Sequence, residues 1–190
     1  MTPTAPHAPL RDALSLMARY HVWASARLLM PHVADLEERA YRQPVGLFFG
    51  SVHGTLNHLW LAERAWWGRF IGQPEGFARL DEELETDREA LAAGWLASTA
   101  RWADFIAQAP AEAWSGSLHY RRINGQTMTL PWTATLQHVF NHATHHRGQI
   151  TAALTALGRT SPELDLVYML QAEARGQPPA PAGVAADVMK

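Results

Sequence analysis

The stretch from Gln137 to Ile150, QHVFNHATHHRGQI, holds His138, His142, His145 and His146, four of the ten histidines in a chain of 190 residues. Imidazoles crowded this closely repel one another once protonated, and a shared cation is one way to keep them neutral. If the segment is helical, residues four apart lie about 40° apart on the wheel, one turn above the other. His142 and His146 then share a face, with His138 and Gln149 on the same stripe and His145 beside it. Two imidazole nitrogens on one face can converge on a single divalent ion, but a third ligand must come from elsewhere.

The stretch FFGSVHGTLNHLWLAE offers His53 and His58, five residues apart and so roughly 140° apart on a helix, which lets only one face a neighbouring helix. His58, flanked by Leu56, Leu59 and Leu61, is the choice, because His53 sits nearer the helix start and solvent. His138 is the reserve if the pair on the later helix is His138 with His142. Against this stands the plain reading that an HxxxH spacing arises by accident and that isolated histidines such as His21, His32 and His119 serve the surface or a hydrogen bond. A zincin peptidase is disfavoured, since the residue after His142 is Ala143 where such enzymes carry a glutamate. Three neutral imidazoles would leave the ion its full charge and an open position for water or a thiol. Protonated imidazole cannot ligate, so an all-histidine site predicts affinity falling below about pH 6.5.

The elements that must position these residues are helices. Leu10, Leu14, Met17, Trp23, Ala26, Leu29 and Met30 recur at helical spacing and stop at Pro31. HVADLEERAYRQPVGLFFGS reads as a helical turn and a loop. Ser51 caps a second long helix to about Phe70, and a third spans Asp87 to Ala107, closed by Pro110. SLHYRRINGQTMTL is β-prone on both sides of Asn124-Gly125, which predicts a hairpin with a two-residue type I′ turn. Pro131 opens a fourth long helix that runs to about Leu157 before Gly158, and SPELDLVYMLQAE gives a short fifth. The reading is one domain over residues 1–175 and a loosely ordered Pro- and Ala-rich tail over 176–190.

Composition narrows the function. Sixteen basic against eighteen acidic residues give a net charge of −2, without the basic excess that phosphate backbones require, so no nucleic-acid partner is expected. No apolar run approaches the roughly 20 residues needed to cross a bilayer and no secretion signal opens the chain, so no membrane partner and a cytoplasmic location are expected. The absence of cysteine rules out thiolate ligands and a cysteine nucleophile, and any thiol chemistry must use a thiol brought by a substrate. Most of the eight tryptophans fall within the helical patterns, as core or interface anchors.

These residues carry a family resemblance. NHATHHRGQI, with ALG at Ala156–Gly158 and SPELDLVYML at Ser161–Leu170, resembles the C-terminal signature of the DinB-like (YfiT-like) family. These are damage-inducible helical-bundle proteins described as metalloenzymes, and they are distinct from the polymerase that shares the name. YHVWASARLL at Tyr20–Leu29 and FFGSVHGTLNHLWLAERAWWGRF at Phe48–Phe70 are similar to its first and second helix motifs. The likeness covers most of Leu10–Leu170. It implies an all-α, four-helix up-down-down-up bundle, here with a small β-hairpin before the last long helix, and a homodimer. By position it places a divalent metal ion, zinc or nickel, on His58, His142 and His146, with His138 and His145 behind the ligands or in packing.

Arg147 and Gln149 complete the signature. Arg147 reads first as an ion-pair partner of Glu63 or Asp165 and second as a substrate contact, and Gln149 either as a partner of a ligand or substrate or as a cap on a buried polar group. Asn57 and Asn141, each preceding a ligand, are candidates to orient neighbouring groups. Relatives of the bundle include thiol-dependent S-transferases and a maleylpyruvate isomerase. The resemblance therefore implies a metal-dependent S-transferase or isomerase acting on a small molecule with a low-molecular-weight thiol as co-substrate. A hydrolase using metal-activated water, or a non-catalytic stress-response protein stabilised by metal, is the alternative. Fold likeness alone does not fix the reaction.

Overall fold

The computed structural model describes residues 7–177. Four long helices dominate: α1 (Ala8–Arg27), α3 (Val52–Phe70), α4 (Arg88–Gln108) and α5 (Trp132–Ala156), with short helices α2 (Glu38–Arg42) and α6 (Leu166–Ala174). Strands β1 (Ser117–Arg121) and β2 (Thr127–Pro131) pair antiparallel just before α5. Ser51 Oγ accepts from the Gly54 amide at 3.0 Å and Asp87 Oδ1 from the Ala90 amide at 2.8 Å, so α3 and α4 start where their capping residues direct. Each such cap is worth about 1 kcal/mol. The α-helical turns of α1 end at Arg27, and a wider-turned segment, Leu28–Val33, follows, broken at Met30 ahead of Pro31. Past α5, Gly158 takes φ +70 and lets Arg159 bond back to the Leu154 carbonyl.

Two apolar clusters set the helix directions. One joins Leu28 and Leu29, just past α1, to Leu56 and Leu59 early in α3, Leu91 and Trp95 early in α4, and Ile150 and Leu154 late in α5. The other joins Leu14 and Ala18 early in α1 to Trp102 and Ile106 late in α4 and Leu136 and Phe140 early in α5, with Trp67 and Phe70 from the end of α3 packed on it. Helices α1 and α5 therefore run one way and α3 and α4 the other, which is the up-down-down-up order. Because α3 and α4 are parallel, residues 71–87 must return along their length as a crossover strap. Between the two clusters lies a polar layer: His21 and Ser25 on α1, Glu63 on α3, Ser98 and Thr99 on α4, and Arg147 on α5, all buried.

The hairpin differs from the expected turn. Arg121 pairs with Thr127, the Gly125 amide bonds to the Arg122 carbonyl at 2.9 Å, and the Arg122 amide bonds to the Gln126 carbonyl at 2.8 Å. Gly125 has φ +84 and, among the described residues, none other than glycine has positive φ, so Asn124 keeps an ordinary backbone. The loop is a type I turn followed by a left-handed glycine, the three-residue form, and not a type I′ pair. Asn124 contributes its side chain instead, whose Oδ1 accepts from the Gln126 amide at 3.1 Å. Helix α6 packs Met169 against Tyr20, Trp23 and Ala24 on the outer face of α1. Of the expected tail, Gly176 and Gln177 close α6 through bonds to Glu173 and Ala172, and residues 178–190 lie outside the described ones. No helix among the described residues is long and apolar enough to cross a membrane.

Candidate metal centre

Helices α3 and α5 are neighbours in the bundle, and their shared seam brings His58, His142 and His146 together. His142 Nε2 lies 3.1 Å from His146 Nε2 and 3.2 Å from His58 Nε2. The three nitrogens lie within 4.8 Å of one another. A tetrahedral ion with nitrogen ligands at 2.0–2.1 Å separates those ligands by about 3.3 Å, so the spacing is that of a donor set poised for one cation.

The outer ring nitrogens decide what the inner ones can do. His58 Nδ1 donates to the Leu80 carbonyl at 2.8 Å, and His146 Nδ1 to Gln149 Oε1 at 2.7 Å. In a neutral imidazole the proton then sits on Nδ1, and Nε2 presents a lone pair. Two lone pairs thus face His142 Nε2, which has at most one proton to share between them. A cation satisfies all three nitrogens at once. Burial, aided by the charge His146 would carry, pushes the His58 imidazole down to about 4. Burial and the surrounding histidines push His142 to about 3, and burial with His145 lowers His146. All three rings are neutral at pH 7, the form that ligates, and the expected loss of metal near pH 6.5 moves to lower pH.

Each ring is held from behind. Asn57, one residue before His58 and 2% exposed, accepts the Leu84 amide at 2.7 Å and the Glu85 amide at 3.0 Å, and donates to the Glu85 carbonyl at 3.1 Å. It fastens the crossover strap to α3, and the strap supplies the Leu80 carbonyl that orients His58. Phe49, in the turn before α3, stacks on the His58 ring at 3.7 Å and 15° and meets His146 at 5.6 Å. A Cβ at Gly54 would collide with the Phe49 carbonyl, so glycine lets this turn lie against the first turn of α3.

Other sequence-derived candidates fall elsewhere. His53 is as buried as His146, at 6%, contrary to the expectation of a solvent-near residue. It points away from the triad, with Nδ1 3.2 Å from the Tyr41 hydroxyl and Nε2 2.5 Å from Glu83, because α2 and the strap cover the start of α3. Asn141 is exposed and orients nothing, unlike Asn57. His145 is exposed with its ring edge on His146, and His138 packs against Trp66 with ring centroids 5.2 Å apart. Gln149 holds the His146 ring through its Nδ1.

Arg147 forms no direct pair with Glu63 or Asp165. It donates to His21 Nδ1 at 2.8 Å and Thr144 Oγ1 at 2.9 Å, and His21 Nε2 donates to Glu63 at 3.1 Å, with Trp102 Nε1 donating to the other carboxylate oxygen. Glutamate and arginine are therefore linked through a neutral histidine.

The triad meets solvent through a cavity of about 530 Å³ whose wall includes His58 and His142, together with Trp66, Arg69, Tyr120 and His138. Among the described residues, no carboxylate is on that wall.

With this geometry in place, comparison with known proteins is informative. The family model described as "DinB family" matches residues 10–179. This chain belongs to the DinB family. "Protein DinB" of Bacillus subtilis (strain 168) is 29% identical over 162 residues, which cover 82% of this chain and 92% of that protein. No solved structure matches the chain. The matched span contains every long helix except the first two residues of α1, and so contains the triad together with the Asn57, Leu80, Phe49 and Gln149 groups that hold it. In this DinB-family chain the ligand-type residues were legible by type and spacing. Phe49 stood inside a recognised motif without a role, and the Leu80 carbonyl had no residue-type signal at all.

Proposed function

We propose that the protein is a metal-dependent S-transferase or isomerase that uses a low-molecular-weight thiol on a small-molecule acceptor, with His58, His142 and His146 holding a zinc or nickel ion. The observation that carries this reading is the convergence of three imidazole Nε2 atoms, two of whose rings, His58 and His142, line a cavity of small-molecule size. When bound, the divalent ion supplies positive charge and an open position that favour the deprotonated form of a thiol or water. The chain's own groups do the rest. Leu80 and Gln149 fix the imidazole tautomers, Phe49 stacks on the His58 ring, and His138 offers an imidazole nitrogen on the cavity wall to take a proton. A thiol needs less help than water to lose its proton, and a wall without a carboxylate base favours the thiol.

The test is to assay the metal-loaded protein with a panel of cellular thiols and electrophilic acceptors, against esters and amides without thiol. Thiol-dependent conversion that disappears on chelation and in His142→Ala supports the proposal. Thiol-independent ester or amide turnover would replace it with a hydrolase. Loss of helical circular dichroism on chelation, with no turnover of either panel, would reduce the metal to a structural part.

A further inference from the structure

The cavity beside the triad has a second chemical character. Arg69, half-buried near the end of α3, lies with its guanidinium 4.4 Å from the Trp66 ring centroid and 4.8 Å from that of Tyr120 on β1. Arg122, on the hairpin turn, lines the same cavity and is near enough for its charge to act on Arg69, and its polar side-chain contact is with Gln126 Oε1 at 3.2 Å. Among the described residues neither arginine has a carboxylate within 4.0 Å, and the two share one cavity wall. Two guanidiniums that share an aromatic-walled cavity without a counter-ion repel each other, and a carboxylate received between them would remove that cost. Met128 and Ile123 complete an apolar wall around them.

We propose that this cavity is a carboxylate-recognising site, in which Arg69 and Arg122 hold the acid group of a small molecule and Trp66 and Tyr120 flank its apolar body. The rest of the molecule extends toward His58 and His142. This deepens the enzyme reading above and rests on it only for the event at the metal end, because the acid group is bound by the protein alone. The carboxylate can belong to the acceptor or to the thiol co-substrate.

The test is equilibrium binding to metal-free and zinc-loaded protein by titration calorimetry, with tryptophan fluorescence as a second readout. The probes are 3-phenylpropionate as a thiol-free acid, its uncharged amide, and N-acetylcysteine as a thiol acid. The acid should bind the metal-free protein about tenfold or more tighter than the amide, and Arg69→Gln should weaken the acid about tenfold with little effect on the amide. Arg122→Gln, at an exposed turn where folding is not at stake, should weaken the acid by a smaller factor and flatten its salt dependence. Binding of 3-phenylpropionate assigns the acid group to the acceptor, and binding of N-acetylcysteine alone assigns it to the thiol. Either result supports the site. Equal affinity for acid and amide, or acid binding untouched in Arg122→Gln and in folded Arg69→Gln, overturns it. Acid binding that survives while the thiol panel shows no turnover would sink the enzyme reading and leave this site standing.

Discussion

Two polar clusters, one built around the single histidine His21 and one around three histidines, meet through the neighbours His146 and Arg147 on α5, and they solve the same electrostatic problem in opposite ways. In the polar layer, His21 is 0% exposed and lies between Arg147 and Glu63, with a donor on one ring nitrogen and an acceptor on the other. Every charge there has its opposite within the protein. In the triad, His58 and His146 donate from Nδ1 to oxygen acceptors and turn lone pairs on His142 Nε2, whose one proton can satisfy only one of them. The helices are the same, and Arg147 is the residue next to His146. What distinguishes a structural histidine from a ligand here is the identity of the partners behind the ring: backbone and amide oxygens leave the inner nitrogen free, whereas a guanidinium and a carboxylate occupy both.

The sharpest way to break this comparison is to remove one polar group from each cluster. His142→Ala and His146→Ala should each abolish stoichiometric zinc or nickel binding, read by elemental analysis after dialysis, with helical circular dichroism largely kept. Full metal content in both variants would end the ligand assignment. Glu63→Gln should do the reverse, leaving metal content unchanged while stranding the Arg147 charge. Leaving a buried charge without its opposite costs about 3 kcal/mol or more, so the melting temperature of the metal-free protein should fall by roughly 6–12 °C for a chain of this size. If Glu63→Gln also emptied the metal site, the two clusters would be one unit.

Removing the groups behind the rings should give intermediate effects. Gln149→Ala and Asn57→Ala should weaken metal affinity about 10- to 100-fold, in competition with a chromophoric chelator, while ligand number stays the same. Asn57→Ala should also loosen the strap, visible as faster hydrogen exchange at Leu84 and Glu85. An effect at the strap without any on metal affinity would separate loop anchoring from ligand orientation.

The smallest effect, and the one that sharpens the comparison most, is in pH. Ordinary imidazoles would release metal below about pH 6.5, but His58 and His142, held near 4 and 3 by burial and crowding, should keep it at pH 5.5 and release it only on further acidification. Tenfold weakening already at pH 5.5 would mean that the rings are solvated. The same shifts act on the metal-free fold. Below pH 6.5 the unfolded chain binds protons that the folded rings refuse, so stability is full above that value and declines as pH falls through about 4 and 3.

Much of this was legible in the sequence, for identifiable reasons. Ser51 and Asp87 announce helix starts through the local chemistry of their side chains, and the HxxxH spacing of His142 and His146 is a property of one helix. The long helices and the position of the hairpin follow from apolar periodicity and the Asn-Gly pair, whereas the four-helix up-down-down-up order rests on the family resemblance. What failed needed information from outside the segment. The burial of His53 depends on α2 and the strap folding over it, and the turn at Asn124 depends on a register set by β1 and β2 together. The Leu80 carbonyl is backbone, which any residue supplies, and the pairing of Arg69 with Arg122 joins a helix to a hairpin that no spacing rule connects.

The parallel run of α3 and α4 has a consequence for how such a centre can diversify. A chain that turned straight back after Phe70 would leave the flank of His58 bare, whereas the long return route lays seventeen residues across it, from 71 to 87. That route contributes an oxygen to the ligand ring through Leu80 and, through the same residue, a piece of the cavity wall. Insertions or exchanges along it can reshape what enters the cavity while the four rods, their core and the three nitrogens stay as they are. The topology thus separates the helices that carry the three converging nitrogens from the segment that shapes the cavity beside them.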